Sequence, residues 1–111
     1  MELKIKKCKI GGTYYDIEYC DDLRDEKNNK LSGRIVEDET LIRIDKDQCY
    51  QGQLKTLLHE IMHALTWEYN LMKIKKVEDL IEMLTNSFLA LIVDNPKIIH
   101  KLLDFYQTKR K

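Results

Sequence analysis

Proline occurs once and glycine four times in 111 residues, so the chain carries neither a proline-rich recognition segment nor a glycine linker. The longest uninterrupted apolar run is the six residues Phe88 to Val93. A bilayer-spanning helix needs roughly 20, and no transmembrane segment is expected. Lys4, Lys6, Lys7 and Lys9 are not followed by an apolar stretch, so the hydrophobic part of a secretory signal is lacking and a cytoplasmic location is expected. Cysteine is scarce too. Cys8, Cys20 and Cys49 are odd in number and contain no C-x-x-C pair, which fits reduced thiols better than a disulfide framework. Nor does either charge dominate, since nineteen basic residues offset nineteen acidic ones. No net field draws the chain to nucleic acid or to a membrane, although net charge says nothing about local patches.

What is present is the balance of a folded domain, with 43% apolar and 34% charged residues. Residues 1–111 fit one domain with a single modest core. The first twenty residues predict a hairpin around Gly11 and Gly12. A three-residue loop, Ile10 to Gly12, sets Leu3 opposite Tyr19 and Ile5 opposite Ile17 on one face. Lys4 then lies opposite Glu18, and Lys6 opposite Asp16, on the other. A two-residue loop loses both the apolar face and the charge pairs. Asp21 to Lys30 is a polar connection, and after Gly33 two short runs, Arg34 to Val36 and Leu41 to Ile44, flank an acidic turn.

Apolar side chains then switch to helical spacing. Leu54, Leu57, Leu58, Ile61 and Leu65 predict a helix over about 51–70, and Val77, Leu80, Ile81, Leu84, Phe88, Leu91 and Ile92 give a second its buried stripe. Asn95 and Pro96 read as the N-cap and first turn of a third. Strands followed by helices imply an α+β domain, with antiparallel N-terminal strands and then three helices.

The chemistry sits in the first helix. His59-Glu60-Ile61-Met62-His63 is an H-E-x-x-H sequence, and four residues is about one helical turn, so both imidazoles leave one face where a single ion can bridge them. Zinc suits two imidazoles and a carboxylate. Glu60 lies about 100° round the helix from His59, placed to act on a bound water as general base without being a ligand itself. Catalytic zinc normally takes a third protein ligand, and Glu78, Asp79 and Glu82 are the carboxylates on the next helix. Acids in a first turn, as Glu78 and Asp79 are, are explained by the helix dipole alone. Glu82 lies a turn deeper.

The stretch from Gly33 through Asn95, with its Thr-Leu-Leu-His-Glu-Ile-Met-His-Ala-Leu helix, resembles the ImmA/IrrE family of bacterial and phage zinc metallopeptidases. In that family a glutamate within an E-x-x-A-N-x-F-A segment of the following helix is the third ligand. Glu82, Asn86 and Phe88 match this segment, while Thr85 and Leu89 stand at its alanines. The resemblance implies a zincin-like fold, zinc held by His59, His63 and Glu82, catalysis by Glu60, and hydrolysis of a cytoplasmic protein such as a phage or mobile-element repressor. A strand just before the zinc helix, here Leu41 to Ile44, is expected to take an extended peptide by strand addition. The alternative in another class is a metal-stabilised interaction module that binds a regulator without cutting it. Glu60 argues against a purely structural site, although Glu is also a good helix former.

Overall fold

The computed structural model describes residues 3–110, the side chains of the last two excepted. Strands β1 (Lys7–Ile10), β2 (Thr13–Cys20), β3 (Gly33–Val36) and β4 (Leu41–Asp45) come first. Helices α1 (Tyr50–Glu68), α2 (Val77–Asp94) and α3 (Pro96–Arg110) follow, with one-turn 3-10 segments at Glu37–Glu39 and Leu71–Lys73. The α+β class and the three helices agree with the sequence. The purely antiparallel sheet does not. The four strands are ordered β1-β2-β4-β3, and β2 runs parallel to β4, so the sheet is mixed. A parallel neighbour needs a long crossover, and residues 21–40 provide it. Within the antiparallel β3–β4 hairpin it is β4 that lies inside, paired with β2 from Asp16↔Leu41 to Cys20↔Asp45. Its composition suits that place, because Leu41, Ile42 and Ile44 are all buried.

The hairpin register also differs. Lys7 pairs with Asp16, Cys8 with Tyr15 and Ile10 with Thr13, which leaves a two-residue loop of Gly11 and Gly12. Both glycines have positive φ, 59° and 89°, as a type I′ turn demands, and a Gly-Gly pair meets that at no steric cost. The apolar face survives because Lys6 and Lys7 are both exposed. That break in alternation lets Leu3 and Ile5 reach the same core as Cys8 and Ile10. The Tyr19 hydroxyl then donates to the Ile5 carbonyl at 2.6 Å.

The core lies between the sheet and α1, where Leu54, Leu57, Ile61, Ala64 and Leu65 pack on Tyr15, Ile17, Ile42 and Ile44. Leu58 stays outside. Buried Gln53 ties this layer to the chain ends around it. Its carbonyl accepts from the Leu3 N–H at 3.2 Å, and its amide donates to the carbonyls of Lys46 and Gln48. The α2 stripe is only half covered. Leu91 is buried and Leu80 and Leu84 are partly so, whereas Val77, Ile81, Phe88 and Ile92 are exposed. Asn95 does not use its side chain to cap α3. Its Oδ1 accepts from the Lys9 N–H at 2.8 Å and its Nδ2 donates to the Lys9 carbonyl at 2.7 Å, so one side-chain amide takes the place of a strand neighbour on the outer side of β1.

Candidate metal site on helix α1

Cys49 starts α1, its sulfur accepting from the Gly52 N–H, and the helix runs without a break through the H-E-x-x-H segment. Its inner face is fixed by the core residues above. That rotation sends His59 and His63 to solvent and Glu60 inward against β3. The two imidazoles meet with their Nε2 atoms 3.2 Å apart and their rings inclined at 70°. Two nitrogens on a tetrahedral zinc, each about 2.0–2.1 Å from the ion, stand about 3.3 Å apart. The separation of the pair therefore matches that of two ligands on one ion.

Glu60 is 7% exposed. Burial pushes its carboxyl above the usual carboxylate range, while the adjacent His59 and His63 pull the other way without cancelling the effect. The burial comes from Gly33 and Thr56. A Cβ at Gly33 would stand 2.4 Å from the Thr56 Cγ2 and 3.2 Å from the Glu60 Oε2, so only glycine lets β3 pass this close to the helix. Thr56 is held in turn by Gln48. The Thr56 hydroxyl donates to the Gln48 Oε1 at 3.0 Å, and the Gln48 amide donates to the carbonyls of Ser32 and Asp45. Ser32, Gly33, Lys55, Thr56, His59 and Glu60 line a cavity of about 380 Å³. Sequence patterns pointed to the histidines and Glu60 but not to Gly33, Thr56 or Gln48. A glycine at the start of a strand carries no distinguishing motif, and only the packing of strand on helix identifies it.

Glu82 does not join the pair. It is exposed on α2, as is Glu78, and among the described residues no group of three His, Cys, Asp or Glu stands close enough to hold an ion. His100 is exposed on α3, and Tyr50 packs its ring on Phe105. The strand expected to receive a peptide is also corrected. Leu41 to Ile44 lies inside the sheet with partners on both sides, and the strand with an open side next to α1 is β3. The arrangement offers two imidazoles able to share a cation, a shielded carboxylate of raised proton affinity beside them, and a strand edge at the same cavity. No family model, no curated protein and no solved structure matches this chain.

Proposed function

We propose that the chain is a zinc-dependent endopeptidase acting on a protein substrate, with His59 and His63 as ligands and Glu60 as the general base. The observation that carries the reading is the 3.2 Å convergence of the two Nε2 atoms beside a carboxylate that is almost wholly buried. His59 and His63 would hold the zinc ion, whose chemistry there would be to lower the pKa of a water toward neutrality and to polarise a carbonyl. Glu60 contributes the proton traffic. It accepts the proton of the attacking water as the C–O bond forms, and delivers it to the amine nitrogen as the C–N bond breaks. A carboxyl whose burial raises its proton affinity is better matched to that exchange near neutrality than an exposed one. The open side of β3 gives an extended peptide main-chain partners next to this carboxylate.

In this reading Glu82 becomes the third ligand when α2 shifts toward α1, because the three side chains do not stand together in the structure. Its support is the match of Glu82, Asn86 and Phe88 to the ImmA/IrrE segment, and that resemblance also points to a repressor-type regulator as substrate. Protein purified without chelator is expected to carry about one zinc per chain, measured by elemental analysis, because two His and one Glu make a single site. Glu60→Gln should keep the metal and lose two or more orders of magnitude in cleavage. Zinc competition against a calibrated chelator should weaken strongly for Glu82→Ala and little for Glu78→Ala. A folded sample that takes up no zinc at neutral pH sinks the proposal.

A second reading draws on the exposed apolar side chains of α2, Ile81, Phe88, Leu89, Ile92 and Val93, which give a regulator somewhere to bind. In that case the metal stabilises an interaction module. Retained binding of a candidate regulator with no chelator-sensitive cleavage would favour it.

A further inference from the structure

A second cavity lies away from the histidines, where the segment before β1 meets the junction of α2 and α3. It measures about 690 Å³ and is lined by Lys4, Lys6, Lys7, Lys97 and Lys101, with Asp94 the one acid among the described residues. Among the described residues none of these five lysines forms an ion pair, although Lys30 and Lys46 elsewhere do. A chain of zero net charge has therefore gathered five of its nineteen cationic side chains around one cleft. Like charges so placed repel one another unless an anion sits between them. Buried Ile5 and Ile98 form part of the wall, giving the cleft apolar surface under a cationic rim.

We infer that this cleft binds a small polyphosphate-bearing molecule. Its volume falls within the roughly 300–1,000 Å³ of small-ligand sites. Lysine ammonium groups are point charges suited to phosphate oxygens, with no demand for a fixed planar geometry. Among the described residues no aromatic ring lines the cleft, so it offers no stacking platform for single-stranded nucleic acid, and no arginine lines it, so it lacks the bidentate reader of base edges. The site is independent of the metal reading, since it shares no residue with the His59–Glu60 cavity.

The test is calorimetric titration of the full chain with sodium tripolyphosphate and, separately, with ATP, at about 50 mM salt and again at higher salt. One tripolyphosphate per chain is expected, bound more weakly as salt rises. Lys97→Ala/Lys101→Ala should lose at least about tenfold in affinity, and Lys27→Ala/Lys75→Ala, which removes two exposed lysines elsewhere, less than about twofold. ATP competing for the same site supports the inference, and its rank against tripolyphosphate tells whether the apolar wall takes a nucleoside. Repeating the titration in His59→Ala separates binding at the cleft from chelation of a bound metal. No saturable tripolyphosphate binding, equal losses in the two lysine pairs, or tighter binding of a short DNA duplex or an oligoglutamate would each overturn it.

Discussion

Gly33 decides how close β3 comes to α1. Its φ is not in the left-handed region, so the constraint is space, with the Thr56 Cγ2 2.4 Å from where a Cβ would lie. Thr56 cannot easily give way, because it is buried and its hydroxyl is bound to Gln48. Gly33→Ala is expected to cost about 1–3 kcal/mol as an overpacked contact and to displace Glu60. Urea unfolding measures the first. Adding Thr56→Ser, which removes the offending methyl and keeps the hydroxyl, should recover part of the loss. Gly33→Ala with undiminished stability would show that β3 and α1 are not in contact here. The proposed ligands and base were legible in the sequence because helical spacing alone juxtaposes His59 and His63. Those that bury Glu60 were not, since Gly33 and Thr56 are twenty-three residues of chain apart and meet only through the sheet.

At the scale of elements, helices were read more faithfully than strand pairings, and the reason is local. Helical periodicity fixes which residues share a face within one segment, and α1 buries Leu54, Leu57, Ile61 and Leu65 as its pattern predicts. Strand order depends on which of two hairpin strands goes inside, and alternation in β3 and β4 does not encode that. The hairpin register turned on Gly11 and Gly12, whose turn preference outweighs the cross-strand charge pairs that favoured a three-residue loop. Asn95 shows the same competition between local and distant partners. It stands where a cap for α3 belongs, yet its amide bonds to Lys9 and to the Leu91 carbonyl. Asn95→Ala is expected to cost about 1–3 kcal/mol, because it leaves the Lys9 N–H and carbonyl without these partners. Hydrogen exchange at the Lys9 amide should quicken more than at Ile10. Unchanged exchange would mean that the side chain does not guard β1.

For the whole molecule, acid sensitivity follows from Asp45 at the end of β4. Burial pushes its carboxyl up, but Lys30 and the backbone N–H groups of Asp47 and Leu23 pull it further down, so the net shift is below the ordinary value. A carboxyl lowered on folding stabilises the fold above its unfolded pKa, about 3.9, and that contribution fades as pH falls through the lower folded value. Lys30 is shifted upward, chiefly by the same bond, so its share is lost only above about pH 10.4. Wild type should thus be more stable than Lys30→Ala at pH 7, and the gap should narrow in urea titrations toward pH 3. A gap that stayed constant to pH 3 would remove the ion pair from the account.

The sheet is also asymmetric in what it leaves open. One border is covered at Lys9 by the Asn95 amide, and the other, along β3, has no strand beside it among the described residues. Growth by main-chain pairing is therefore easier along β3 than along β1. Two copies joined β3 to β3 would use up both β3 borders at once and end as a closed pair, so the feature proposed to admit a peptide also disfavours an endless filament.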